Sequence, residues 1–200
     1  MLNNFPKNEE CIITIVGLGY VGLPLLIEFG KQKAVNNTDL KVNRKLIGFD
    51  INKSRIKNLK NNIDDTKEVC KEDLVNAQNI TFTSNLEDTI ESEVFIVTVP
   101  TPIDKAKKPN LNPLKNACTD IGYILKKSIE LNLSKKIIKR PIIIFESTVY
   151  PGATEEECIP TIEKISGLKL NKDFFVGYSP ERINPGDNKH RLKDIVKITS

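Results

Sequence analysis

Residues 12–22 read Ile-Ile-Thr-Ile-Val-Gly-Leu-Gly-Tyr-Val-Gly, an apolar, β-branched run that breaks into glycines. Such a run predicts a buried strand entering a turn, and Val21, Leu25, Leu26 and Phe29 predict a helix from Tyr20 to about Lys33. Gly17, Gly19 and Gly22 have the spacing G-x-G-x-x-G, with Leu18, Tyr20 and Val21 between them. Each glycine answers a separate steric demand. The first allows the tight turn, the second lets the backbone approach a pyrophosphate, and the third lets the helix pack closely on the strand. The N–H groups at the helix start, at the positive end of its dipole, then hold phosphate. Glycines fall in this spacing in ordinary turns too, so the reading depends on the rest of the chain.

Outward from this stretch, a polar, Asn-rich segment from Ala34 to Lys45 reads as an inserted loop. A second short apolar run, Leu46-Ile-Gly-Phe, ends on Asp50, which lies 28 residues beyond Gly22. The usual distance is about 20, and the insertion supplies most of the excess. A carboxylate at that strand end accepts hydrogen bonds from both hydroxyls of an adenosine ribose and repels a 2′-phosphate, which favours NAD over NADP. The alternative for Asp50 is a plain helix cap ahead of Asn52. Arg55, one turn into a helix over Ile51 to Lys60, is placed to reach the same adenosine side.

Further on, a short helix from Lys71 to Gln78 precedes a strand at Ile80–Thr83, and another short helix covers Asn85 to Glu91. Val94–Val99 is a buried strand stopped by Pro100-Thr-Pro, whose prolines shape a loop over the sheet edge. A long helix from about Pro113 to Leu131, a core strand over Pro141–Glu146 and the polar run Ser147-Thr-Val-Tyr-Pro-Gly152 follow. Thr154-Glu-Glu-Glu157 has capping-box spacing and predicts a helix to about Ser166. Phe174–Tyr178 and Ile195–Thr199 read as strands. Strands alternating with helices argue a parallel sheet covered on both faces, and right-handed crossovers make it doubly wound, an α/β Rossmann-type domain over residues 11–200 behind a frayed tail at 1–10. Each polar cluster follows a strand's carboxyl end, where such sheets bind ligands.

Composition narrows the class. Hydrophobic content of 39% and charged content of 28% are those of a globular protein. The net charge of +4 comes from scattered lysines, and the densest basic run, residues 135–140, has no aromatics for base stacking, so no nucleic-acid partner is expected. The 4 cysteines form no C-x-x-C pair and there is only 1 histidine, so no metal site is expected. No apolar run approaches ~18 residues, and the polar N-terminus lacks a signal-peptide core. A cytoplasmic protein without a membrane partner is the expectation.

Five ordered runs, IVGLGYVGLPL, GFDIN with Arg55, VTVPTP, ESTVYPGATEEE and GYSPERINPGD, resemble the N-terminal domain of the UDP-glucose/GDP-mannose dehydrogenase family. The wording of the last two is most similar to its capsule-pathway UDP-N-acetylglucosamine 6-dehydrogenase branch. The resemblance implies two NAD-dependent oxidations that turn a sugar's 6-hydroxymethyl group into a carboxylate, by way of an aldehyde held on a catalytic cysteine and a thioester. It implies that Gly17 to Gly22 hold the pyrophosphate and that Asp50 and Arg55 hold the adenosine ribose. Val99, Pro100 and Thr101 would line the cofactor, and Ser147 and Thr148 the nicotinamide end. Thr148 matches a threonine credited with positioning a catalytic water, with an ordinary strand-end cap as its alternative. Glu181 matches a glutamate of the sugar pocket, as acid–base or hydrogen-bonding group or as a structural partner of Arg182; Arg182 and Asn184 fall in the substrate region.

The chain departs from the family pattern in two respects. Where the UDP-glucose branch has a second glutamate this chain has Pro185, and where that branch has an aromatic it has Arg182, which favours an N-acetylhexosamine substrate. The family's catalytic Lys, Asn, Cys and Asp belong to a later helical region and a third domain, with which a homodimer would form. Residues 1–200 alone are therefore expected to bind NAD but to form no NADH from a UDP-sugar, and Cys158 is expected in the core. A non-catalytic NAD-binding module, a UDP-glucose 6-dehydrogenase and a β-hydroxyacid dehydrogenase are the competing readings; the last does not explain PERINPG.

Overall fold

The computed structural model describes residues 5–35, 38–103, 109–134 and 140–180. Six parallel strands form one sheet: β1 (Ile12–Val16), β2 (Lys45–Phe49), β3 (Ile80–Thr83), β4 (Val94–Val97), β5 (Ile142–Phe145) and β6 (Phe175–Tyr178). Their order is β3-β2-β1-β4-β5-β6, so the winding reverses beside β1, and the space above the β1 and β4 ends is the topological switch point. The helices are α1 (Gly22–Lys31), α2 (Lys53–Lys60), α3 (Lys71–Asn76), α4 (Asn112–Ser134) and α5 (Ile159–Ser166).

Period-2 alternation sends successive strand residues to opposite faces. Ile13 and Ile15 of β1 join Ile96 of β4 in a cluster with Leu23, Leu26 and Ile27 of α1. Val16, Phe49, Phe95, Val97, Ile143 and Phe145 face the other way, against Leu114, Cys118 and Ile121 of α4 and Ile162 of α5. Both faces are covered, which is why the strands read as unbroken apolar runs. Thr14, fully buried between them, is tolerated because its hydroxyl lies 2.6 Å from that of Ser92.

Several expectations change at the boundaries. Helix α1 begins at Gly22 rather than Tyr20, since Gly17 to Val21 form the turn itself. Thr154 is not a cap: it is buried in a π-helical turn, Thr154–Cys158, that runs into α5, and its preceding residue Ala153 is already helical. The loop before β2 is pinched by an antiparallel bridge between Ala34 and Lys41. The tail is not frayed throughout. Asn43 N–H donates to the Glu9 carbonyl at 2.7 Å, the Arg44 guanidinium donates to the Asn8 carbonyl and side chain, and the Phe5 and Phe175 rings lie 4.8 Å apart. The strand expected at 195–199 lies outside the described residues. Among the described residues no helix is long and apolar enough to cross a membrane.

Phe95, 1% exposed on β4, is one of the largest fully buried side chains on the α4 face. Phe95→Ala is expected to cost about 3–5 kcal/mol, read as a lower urea midpoint at unchanged m-value.

Candidate functional site

The turn after β1 is held from three sides. Gly17, at φ +93, has a conformation that a side chain disfavours, and its N–H donates to the Phe49 carbonyl of β2 at 2.9 Å. Its own carbonyl accepts from the Thr98 hydroxyl at 2.7 Å, just past β4. A methyl at Gly22 would fall 1.9 Å from that carbonyl and 2.4 Å from the Thr98 hydroxyl oxygen, so the helix start lies against the turn with no room between. Gly19 has nothing within 4 Å of where its Cβ would be, and it opens onto the cavity. The first turn of α1 has neither a side-chain cap nor an acidic residue, so no carboxylate of the helix competes for its N–H groups. Such an uncapped start beside bare glycine fits a dinucleotide's pyrophosphate.

Asp50 follows β2 directly. Its Oδ2 accepts from Leu18 N–H at 2.9 Å and its Oδ1 from Asn52 N–H at 2.8 Å, which ties the strand end to the glycine turn. Each carboxylate oxygen keeps a further lone pair for a ribose hydroxyl. Capping falls instead to Asn52, whose side chain accepts from Ser54 and Arg55 N–H at the start of α2.

Arg55 stands behind the glycine turn. It is 6% exposed and is not among the residues that line the cavity. Nε donates to the Leu18 carbonyl at 3.0 Å, Nη2 to the Thr66 hydroxyl at 3.3 Å, and Nη1 lies 2.6 Å from Asp64. Asp64 also accepts from the Thr66 hydroxyl and from Thr66, Glu68 and Val69 N–H. Burial pushes its pKa up, but the hydrogen bonds from Thr66, Val69 and Arg55 outweigh it and leave the carboxyl below its ordinary range. The pair thus supports the turn from behind and presents Thr66 to the cavity wall.

Opposite, the ends of β4 and β5 are laced together. Ser147 Oγ donates to the Val99 carbonyl at 2.6 Å and Thr101 Oγ1 to the Thr148 carbonyl at 2.6 Å. The resulting cavity, about 550 Å³, is lined by Gly17 to Val21, Asp50, Val99 to Thr101, Ser147 and Thr148. It therefore gathers sequence-predicted residues from four strand ends. Missed from sequence were Ile51, Thr66, Thr98, Glu146 and a stripe of α4. Thr98 stood inside the VTVPTP run and was open to recognition; the α4 stripe carries no motif. Glu181, Arg182 and Asn184 lie outside the described residues. Cys158, 1% exposed, is packed in the α4 core beside Cys118, whose thiol is pushed up by its hydrogen bond with Cys158 and by burial.

Fold and cavity together define a dinucleotide-binding domain of the doubly wound type. The sequence model of the UDP-glucose/GDP-mannose dehydrogenase family, NAD binding domain, matches residues 11–199, and the chain belongs to that family. The cofactor is accordingly NAD. A UDP-N-acetyl-D-glucosamine 6-dehydrogenase from Pseudomonas aeruginosa is 52% identical over 96% of this chain, and one from Salmonella typhi is 48% identical over 96%. The chain spans 40% of the length of each. The solved structure of a UDP-D-ManNAc dehydrogenase from Pyrococcus horikoshii superposes with a TM-score of 0.69 at 27% identity, over 94% of this chain and 40% of that one.

Two outcomes test this geometry. Gly22→Ala should cost about 3 kcal/mol, and the residual folded protein should bind NAD more weakly, measured by denaturation and titration calorimetry. Arg55→Met should cost about 3 kcal/mol at neutral pH by leaving the Asp64 carboxylate buried without its cation. Because the folded pKa of Asp64 is depressed, its contribution is complete above the unfolded carboxylate value of about 3.9 and is lost as pH falls through the folded value. Urea midpoints should therefore fall less between pH 5 and pH 3 in Asp64→Asn than in the parent protein.

Proposed function

We propose that this chain is the NAD-binding part of a nucleotide-sugar 6-dehydrogenase that oxidises a UDP-N-acetylhexosamine to its uronic acid in two NAD-dependent steps, for surface polysaccharide synthesis in the cytoplasm. The observation that carries the reading is the continuous cavity from Asp50 and the glycine turn to Ser147 and Thr148 at the switch point. It is supported by the names of the relatives at 52% and 48% identity. Bound NAD supplies the hydride acceptor. The chain's residues hold and orient it: the glycine turn takes the pyrophosphate, and Asp50, with Arg55 behind it, the adenosine ribose. Val99, Pro100 and Thr101 form the wall, and Ser147 and Thr148 the nicotinamide end. Thr148 is assigned the positioning of water, Glu181 a role as acid–base or hydrogen-bonding group, and Arg182 and Asn184 contact with the sugar. A homodimer would form through a central region beyond this span.

NAD should bind at least about tenfold tighter than NADP, a gap of about 1.4 kcal/mol. Asp50→Ala should narrow that gap, both by weakening NAD and by relieving repulsion of the 2′-phosphate; titration calorimetry with the two dinucleotides reads it. Equal affinities in the parent protein would sink the assignment. In the whole protein, kcat/KM measured at the NADH band should be higher for UDP-N-acetylglucosamine than for UDP-glucose. The reverse order would favour the UDP-glucose branch.

A further inference from the structure

Helix α4 presents two faces. Leu114, Cys118 and Ile121 pack into the sheet, while Pro113, Asn116, Ala117 and Asp120, spaced as one helical stripe, line the cofactor cavity. Asp120 is half-buried, and among the described residues it has no hydrogen-bond or ion-pair partner. Burial pushes its pKa up. A partly desolvated carboxyl left without a donor on a cavity wall calls for a donor from the ligand.

Which part of the ligand it meets follows from the direction of the stripe. Asn116 and Asp120 continue along the helix to Tyr123 and Lys127, and Lys127 Nζ lies 2.6 Å from Glu87 in the 3₁₀ turn after β3. The stripe thus faces the β2–β3 side, where Asp50, Ile51 and Thr66 also line the cavity. Ser147 and Thr148 follow β5, three strand spacings from β2, roughly 14 Å at about 4.8 Å each. With the ribose on Asp50 and the pyrophosphate on the glycine turn, the base extends from the ribose away from the phosphates, beside Ile51. That residue is 80% exposed and offers an apolar face to a planar ring.

We propose that Asp120 accepts a hydrogen bond from the exocyclic amine of the cofactor's adenine and makes this pocket selective for adenine over purines with a carbonyl at that position. The proposal rests on the cofactor assignment above. An ionised carboxylate accepts only, so it matches an amine and repels a carbonyl oxygen. Sites that hydrogen-bond one group reject its polar opposite more strongly than they reject a small change of shape.

The test uses the intact protein that carries this chain, with NAD and nicotinamide hypoxanthine dinucleotide, in which a carbonyl replaces the amine. Calorimetric titration should show NAD binding about tenfold tighter. In Asp120→Asn, whose amide donates as well as accepts, the two affinities should come within about twofold or reverse, while melting by circular dichroism stays near that of the parent. If Asp120→Asn fails to fold, the comparison of the two dinucleotides on the parent protein decides. Equal binding of both by the parent, or full discrimination retained in Asp120→Asn, overturns the proposal. Equal binding with NADP still rejected leaves the cofactor reading intact and removes only Asp120; no binding of either dinucleotide removes both.

Discussion

The start of α1 rests on the carbonyl of Gly17 at a distance that excludes a methyl group, and the Thr98 hydroxyl completes that contact. Because the turn also binds Phe49 and Asp50 of the neighbouring chain segment, the ends of β1, β2 and β4 are located relative to one another by a few short contacts. Each hydrogen bond contributes only about 1 kcal/mol net. Their joint effect is geometric: they hold the open helix start where a diphosphate must lie, and leave the space above Gly19 free. Rigid placement of donors of this kind lowers the ordering cost of binding.

The wall around that turn is layered. Asp50 is oriented by two backbone N–H groups, so its remaining lone pairs have a set direction before ligand arrives. Behind it, Arg55 and Asp64 form a buried ion pair whose second duty is to hold the loop bearing Thr66. Pairs of this sort are poor net stabilisers, but removing one member leaves a charge in the interior, which makes the loop position costly to lose. On the far side, the laced ends of β4 and β5 do by hydroxyl-to-carbonyl bonds what the ion pair does near β2. The cavity is therefore framed by groups fixed within the protein, and Asp50, the open helix start and Asp120 keep capacity for a ligand.

Much of this was open to reading from the chain alone. The strand runs, their order with the helices, the glycine turn and Asp50 are local features, and local periodicity or spacing encodes them. The six core strands, the helix over 112–134 and the parallel, doubly wound sheet follow from such features. The reading of Thr154 as a cap was locally sound, yet packing buried that residue in a π-helical turn, which tertiary contacts impose and short-range propensity does not.

What only the tertiary structure decided are the relations between segments far apart in sequence. Arg55 stands one turn into a helix beside the site, and its helical position and the family resemblance say nothing of its partners within the protein. The fold brought Asp64, Thr66 and the Leu18 carbonyl to its guanidinium, which places that charge behind the glycine turn. Residues 8 and 9 are tied down by Arg44 and Asn43, which no local pattern announces. Asp120 carries no motif, because its position on the cavity wall comes from how α4 crosses the sheet. Periodicity along one segment specifies which face is buried; the partner that face meets depends on packing across the whole sheet.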